Sequence, residues 1–466
     1  MNPQVFREYD IRGDADRDLT GSFVHDLGRA IAAALRARRD AESAEPFEVI
    51  VGRDCRLTSP RIFDALADGI TEGGADVVDI GVVPTPVLYF ASHHLPAAGA
   101  VVITGSHNPP GDNGFKILAG KEALFGDAIG ALGDRIASGD IRSLPAHERG
   151  QVRPADVLPA YLDHAEAALD LGPRRPRVVV DAGNGAGGPA ALSLYRRLGF
   201  DVVPLFCEMD GRFPNHHPDP TEVENLADLR EAVAREGAEL GLALDGDADR
   251  LGVIDGGGRV LWGDQLMILF GRDILARRPG AAFVAEVKCS QALYDELERA
   301  GGRPIMWKVG HSLIKAKIRD EGAALGGEMS GHLFFNDRYP GFDDALYAGA
   351  RLLELLSREA RSLAELASTL PETFATPEMR IDCDDERKFE VVRRAGERLR
   401  ARHDALSVVA IDGVRVRFTG GWGLVRASNT QPALVVRCEA DDEARLEAIA
   451  EGVQSAVEDA VTELSS

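Results

Sequence analysis

The sequence predicts an α/β protein: three similar α/β domains with mixed or parallel sheets, followed by a C-terminal α+β domain. Three observations lead there. Over the first three quarters of the chain, short apolar runs alternate with segments of helical period, the pattern of parallel, helix-covered sheets. The last quarter instead strings four strand-like runs between two helices, an α+β order. The chain has 466 residues, 45% hydrophobic and 27% charged, which is a globular composition long enough for several cores.

The elements follow in order. Phe47–Val51, Ala75–Ile80 and Ala100–Thr104 read as buried strands, with a helix at Arg61–Gly74 that starts at Ser59 or Pro60. A second set begins at Arg177 with the strand RVVVDAG, followed by a helix at Pro189–Leu198 and strands at Asp201–Phe206 and Leu240–Leu244. A third set holds the strands Arg259–Leu261, Ala282–Glu286, Arg303–Trp307 and Ala324–Gly326, with a helix at Ser290–Ala300. The last quarter runs helix Asp385–Ala401, strands Val408–Ile411, Val414–Phe418, Trp422–Ala427 and Ala433–Glu439, and an amphipathic helix from Asp442. Polar or proline-bearing stretches place boundaries near 150, 257 and 370, giving domains 1–150, 151–257, 258–369 and 370–466.

Charge narrows the function. The chain carries 53 Lys+Arg against 75 Asp+Glu, a net charge of −22. Sequence-independent nucleic-acid binding needs surplus cations and is not expected. No polybasic membrane patch, membrane span or signal-peptide core is visible, so a cytoplasmic protein is expected. The five cysteines form no CxxC, which argues against a disulfide framework or structural zinc. Only seven cations are lysines, Lys116, Lys121, Lys288, Lys308, Lys315, Lys317 and Lys388. A chain that prefers arginine keeps lysine where a compact, tunable ammonium is needed.

Four segments carry chemistry. Thr104-Gly105-Ser106-His107-Asn108-Pro109-Pro110 follows a strand, where parallel sheets place ligands. It presents Ser106, either as a nucleophile or as a phosphate carrier, beside His107. The alternative is a polar turn. Leu244–Arg250 alternates Asp245, Asp247 and Asp249 after a strand. Three such carboxylates repel unless a cation intervenes, and oxygen-only donors suit a hard ion such as Mg. Arg250 ends the motif and offers an anion site. Gly326–His332 brackets Glu328, Ser330 and His332 with small residues, a hydroxyl-binding set or an incidental Gly-rich turn. Arg426-Ala427-Ser428-Asn429-Thr430-Gln431-Pro432 is a donor-rich anion cradle or a polar hairpin. Lys288, the pair Lys308 and His311, and the leading Tyr9 and Arg12 add cations, an imidazole and a phenol.

Two further patterns are set aside. Gly183–Gly188 matches GxGxxG, but only Glu208 stands loosely where a dinucleotide site needs an acid. His216-His217-Pro218-Asp219 is read as a rigid loop, because prolines flank it and no further metal ligand is near in the sequence.

TGSHNPP, DGDADR, GEMSGH and RASNTQP, in this order and at these separations, resemble the α-D-phosphohexomutase family. YDIRG, the VKC at Lys288 and the KVGHSLIK at Lys308 and His311 are similar to it too. The GEMSGH form is similar to the bacterial phosphomannomutase/phosphoglucomutase branch, and glutamine usually replaces Met329 in the phosphoglucosamine branch. The resemblance implies four domains around a central cleft: a phosphoserine-bearing, a metal-binding, a sugar-recognition and a phosphate-binding domain. It implies a Mg-dependent mutase that interconverts hexose 1- and 6-phosphates of mannose or glucose through a phosphoserine and a hexose 1,6-bisphosphate. Phosphoglucosamine or N-acetylglucosamine-phosphate mutase activity is the alternative, and a non-catalytic sugar-phosphate binder is the remote one. By matching positions the catalytic set is Ser106, His107, Lys116, His311 and Arg12. One Mg ion would sit on Ser106 phosphate, Asp245, Asp247 and Asp249. The substrate would meet Tyr9, Arg250, Lys288, Lys308, Glu328, Ser330, His332, Arg426, Ser428, Asn429 and Thr430. Arg12, Lys116, Arg250, Lys288, Lys308 and Arg426, together with bound Mg, are expected to make a locally positive field in an acidic protein. Hexose phosphates are the only expected partners, with no nucleic acid and no membrane; the oligomer is a monomer or homodimer.

Overall fold

Val49, Val51, Val101 and Ile103 leave no surface to solvent. The strands that carry them, Glu48–Arg53 and Gly99–Ile103, pair in parallel at the middle of a mixed sheet. Its order is Ile11–Asp14, Asp112–Ala119, Gly99–Ile103, Glu48–Arg53, Asp76–Val82 and Val152–Pro154. The last four strands run parallel, and the first two pair antiparallel. The helices Gly21–Arg38 and Ser59–Glu72 cross closely on one face of this sheet. A Cβ at Gly28 would lie 2.4 Å from Leu66 O, and one at Gly69 only 2.0 Å from His25 O. Glycine at both positions is therefore required for the crossing.

The computed structural model describes residues 2–39, 47–429 and 431–465, without the side chain of Ser465. Thr430 lies outside the described residues. The chain forms two compact units, Met1–Gly263 with Ser330–Ser368, and Asp264–Met329 with Thr369–Ser466.

The first unit holds a second sheet, ordered Val260–Leu261, Leu251–Asp255, Leu240–Leu244, Val178–Asp181 and Val202–Leu205. Its last three strands are parallel and its first three antiparallel. Arg259–Leu261, grouped in sequence with the third set, instead closes this sheet. Asp255 caps the turn through Gly257 N and Arg259 N, and this folds the chain back on its own strand.

In the second unit Ala282–Glu286 lies between Arg303–Trp307 and Leu325–Gly327, all parallel. The C-terminal sheet is antiparallel throughout. Phe374–Ala375 and Met379–Asp382 both pair with Ala433–Ala440, and Gly421–Ala427, Val414–Phe418 and Ala405–Val409 follow. Helices Lys388–Arg400 and Glu443–Ser465 cover it over Val391, Leu399, Val416, Val425, Val436 and Val453. The strand expected at Val408–Ile411 ends at Val409. Gly413, with φ 76°, turns the chain there, so that Arg415 pairs with Val409. No helix among the described residues is long and apolar enough to cross a membrane.

Candidate active site

The strand Gly99–Ile103 ends in the loop that carries Ser106. Ser106 is buried and has φ 48°, in the left-handed region that non-glycine residues rarely occupy. Two buried side chains from the end of the neighbouring strand hold this loop, and sequence reasoning missed both. Arg56 Nη2 donates to Ser106 O (2.8 Å) and Asn108 O (2.6 Å). Its Nη1 donates to Pro109 O (2.5 Å) and Asp112 O (3.0 Å). Asp54 anchors the guanidinium through Nε (3.1 Å) and also accepts Gly105 N (3.1 Å). A Cβ on Gly105 would lie 2.5 Å from Arg56 Cζ, so the loop needs glycine there. The available signal was an Asp-x-Arg at the carboxyl end of a strand in the same sheet.

The hairpin between Leu240–Leu244 and Leu251–Asp255 brings Asp245, Asp247 and Asp249 together, each with no exposed surface. Ser106 Oγ donates to Asp245 Oδ2 (2.8 Å). Asp245 Oδ1 accepts Asp249 N (3.0 Å) and Arg250 N (3.1 Å). Gly246 lets the two loops touch, because a Cβ there would meet Ser106 O at 2.3 Å. Lys116, on the antiparallel strand Asp112–Ala119, sends its ammonium to Asp247 Oδ2 (2.7 Å) and to Asp249 Oδ2. Thr85 Oγ1 also donates to Asp247 Oδ2 (2.6 Å).

Burial works against three carboxylates so close together. Burial, with the charges of Asp249 and Asp247, pushes Asp245 well above the usual carboxylate range. Burial also works to raise Asp247 and Asp249, but the Lys116 ammonium holds both below it. Burial works to lower Lys116, which the two carboxylates instead raise well above an ordinary lysine. One ammonium does not neutralise three carboxylates. Asp247 Oδ1 is buried with no hydrogen-bond donor, and the ligand atoms of the triplet lie within 4.8 Å of one another. This acidic cluster has the oxygen donors, the spare charge and the orphaned lone pair that a hard divalent cation would satisfy.

His107 Nδ1 contacts Asp219 Oδ2 at 2.6 Å. Burial and the Arg250 cation push the imidazole down to about 4, against the pull of Asp219. Burial works to raise Asp219, but the hydrogen bond from His107 and the Arg250 charge hold it below its ordinary range. A neutral His107 thus donates Nδ1–H to Asp219 and keeps its Nε2 lone pair. Arg12 Nη1 donates to Asn108 Oδ1 (2.7 Å), and its Nη2 to Asp10 Oδ2 (2.6 Å). His332 Nε2 lies 3.2 Å from Asp249 Oδ1 and accepts Arg250 Nε at 3.3 Å. Tyr9 and Ser330 are half-buried in the same unit.

The second unit gathers the remaining positions. Glu328 is buried and accepts Gly310 N through Oε1 (2.8 Å), beside His311 at the start of the helix His311–Glu321. Lys288 Nζ donates to Glu378 Oε2 (2.9 Å). Burial works to lower Lys288, but Glu286 and Glu378 raise it. Arg426 pairs with Asp412, whose Oδ2 also accepts Val309 N (2.9 Å). Asp412 therefore ties the Lys308–His311 loop to Arg426. Lys388 Nζ donates to Ser428 O (2.6 Å) and Gln431 O (3.3 Å), which shapes the turn of Ser428 and Asn429. Lys308 is exposed. Glu286, Asp412 and Glu378 were not singled out in the sequence, because none lies in a loop with a recognisable spacing, and Lys388 stood out only as one of the seven lysines. Arg12, Lys116, Lys288 and Arg426 each face a carboxylate.

Four family domains match the chain. They are the phosphoglucomutase/phosphomannomutase alpha/beta/alpha domain I over residues 3–138, domain II over 159–258, domain III over 262–374 and the C-terminal domain over 378–456. The chain is similar to a phosphomannomutase/phosphoglucomutase of Pseudomonas aeruginosa, 46% identical over 96% of this chain and 93% of that one. It is similar to a phosphoglucomutase of Neisseria gonorrhoeae, 43% identical over 97% and 96% of the two chains. Among solved structures it is similar to a phosphoglucomutase/phosphomannomutase family protein of Burkholderia thailandensis. That match is 41% identical with a TM-score of 0.91, over 99% of this chain and 98% of the other.

Proposed function

Because the chain belongs to the phosphoglucomutase/phosphomannomutase family, we propose that it interconverts hexose 1-phosphates and hexose 6-phosphates, of mannose and glucose alike, with Ser106 as the phosphoryl carrier. The observation that supports this most directly is the hydrogen bond from Ser106 Oγ to Asp245 inside the buried carboxylate triplet.

Phosphoserine 106 gives its phosphoryl group to the free hydroxyl of a hexose monophosphate. The P–O bond to Ser106 breaks and one to the sugar forms; the attacking hydroxyl passes its proton to His107 Nε2, and Ser106 Oγ takes up a proton, so none is gained or lost overall. The hexose 1,6-bisphosphate turns end over end, and its other phosphate returns to Ser106. Asp245, Asp247, Asp249 and a phosphoryl oxygen on Ser106 would hold one Mg ion, which when bound neutralises charge on the phosphoryl group. His107, neutral with Nδ1 pinned on Asp219, offers Nε2 as a proton acceptor. Lys116 remains charged and keeps Asp247 and Asp249 ionised. Arg12 and Arg250 hold anionic oxygens beside Ser106.

In the second unit Glu328, and in the first Ser330, read sugar hydroxyls. Arg426, Ser428, Asn429 and Thr430 take the phosphate that is not reacting. Tyr9, Lys288, Lys308, His311 and His332 complete the binding set. Gluco and manno isomers differ at the 2-hydroxyl, and the carboxylate and hydroxyl of this set read the 3- and 4-hydroxyls, which accounts for dual specificity. The division into units 1–150, 151–257, 258–369 and 370–466 is part of the same proposal, one loop from each.

A coupled assay on mannose 1-phosphate and glucose 1-phosphate, with a bisphosphate activator and Mg, tests this. Both sugars should turn over, and Ser106→Ala should abolish turnover while substrate binding stays within a few-fold. Release of free phosphate without isomerised sugar would overturn it.

A further inference from the structure

The His217–Asp219 loop, flanked by prolines, is not short of ligands. His107 arrives from the Ser106 loop, and one ligand atom from each of His107, His217 and Asp219 lies within 4.8 Å of the other two. The loop is held in place beforehand. Thr221 donates to Asp219 Oδ1 through Oγ1 (2.6 Å) and N (3.0 Å). Asn225 Nδ2 donates to Asp219 O (2.9 Å). His216 is turned away onto Asp181, with Nε2 3.0 Å from Oδ2. Pro218 and Pro220 fix the backbone on either side of Asp219.

We propose that His107, His217 and Asp219 form a second cation site, separate from the carboxylate triplet, that takes a borderline divalent ion such as zinc, cobalt or nickel and thereby silences Ser106. Two imidazoles and one carboxylate select such ions, whereas the oxygen-only triplet selects Mg. A tetrahedral ion with bonds of ~2.0–2.2 Å needs ligand atoms roughly 3.4 Å apart, between the 2.6 Å of the His107–Asp219 contact and the 4.8 Å within which the three ligand atoms lie. The ion takes the place of the proton between His107 Nδ1 and Asp219 Oδ2, and that proton moves to Nε2, so the ring stays a neutral ligand and Nε2 is no longer a proton acceptor. The fourth position stays open to water or to an oxygen of the neighbouring phosphoserine. Binding does not depend on the mutase reading; the silencing does, because it requires that His107 and Ser106 act in turnover.

The test uses the full chain with Mg saturating. Cobalt chloride should give one equivalent of the intense visible bands of four-coordinate cobalt. His217→Ala should lose these bands while keeping its melting temperature and its turnover without zinc, and Asp247→Asn should keep them. The zinc concentration that halves turnover should rise about tenfold or more in His217→Ala, as expected when a ligand is removed. Bands unchanged in His217→Ala, or lost in Asp247→Asn, would overturn the site. Cobalt bands as expected but equal zinc inhibition in wild type and His217→Ala would overturn the silencing alone.

Discussion

Ser106 combines three features that rarely meet by chance: burial, a left-handed backbone and a hydroxyl on a carboxylate. Strain of this kind persists only where its surroundings over-determine it, and here Arg56 and Gly246 do so. Ser106, His107 and the three aspartates were legible because each lies in a short spaced motif at the end of a strand. Asp219 was legible only as part of a loop, since its pairing with His107 joins positions 112 apart. That contact makes a residue-scale prediction. His107 stands at about 4 in the fold against an ordinary value near 6.5, so it should remain neutral as pH falls from 7 to 5. Imidazole NMR of the full chain, assigned with a His107→Gln variant, should show no protonation of this ring until pH nears 4. A midpoint near 6.5 would contradict the neutral base.

At the scale of elements, alternation and turn residues revealed the central parallel strands and the antiparallel strands of the last quarter, whereas the antiparallel strands Asp112–Ala119 and Leu251–Asp255 were missed. Asp112–Ala119 begins on polar residues and glycine and carries Lys116 in its middle, so it shows no strand periodicity; tertiary partners alone make it one. Leu251–Asp255 is buried at every position, so it too lacks alternation. Arg56 acts between elements, and its replacement should show as mispositioning. Arg56→Lys keeps the charge but cannot reach four carbonyls, so kcat should fall tenfold or more with KM nearly unchanged. An equal rise in KM would mean that the loop only binds. Losing the partner of buried Asp54 altogether costs about 3–5 kcal/mol, so Arg56→Ala should mainly unfold.

A second element-scale effect concerns Asp344, the cap of the helix Ala345–Arg358. It is buried, accepts Tyr161 OH, Tyr339 OH and Tyr347 N, and is pushed up to about 7, chiefly by burial. The folded state therefore holds a proton that the unfolded state releases near 4, and the stability this adds is lost as pH rises through about 7. Denaturant unfolding should show stability falling between pH 5 and 8, with a smaller fall in Asp344→Asn. An identical slope in both would contradict this.

For the whole molecule, net charge sets the long-range field, and ion pairing sets the local one. A net charge of −22 disfavours long polyanions, and Arg12, Lys116, Lys288 and Arg426 are each matched by a carboxylate. Those partners come from distant positions such as Asp412 and Glu378, which no motif reveals. A dianionic sugar phosphate therefore meets long-range repulsion and then exchanges partners at contact. Raising ionic strength from about 0.01 M to 0.15 M shortens the screening length from about 30 Å to about 8 Å. With Mg saturating, KM for the hexose phosphate should fall over this range. A steady rise would show that an attractive local field dominates.

Everything in this mechanism turns on Ser106 carrying the phosphoryl group. Incubating the full chain with glucose 1,6-bisphosphate and Mg, then measuring intact mass with fragment mapping, tests it most directly. The chain should gain one phosphoryl group, located on Ser106, lost on adding excess hexose monophosphate and absent from Ser106→Ala. A phosphoryl group on another residue, or full turnover by Ser106→Ala with none bound, would contradict it.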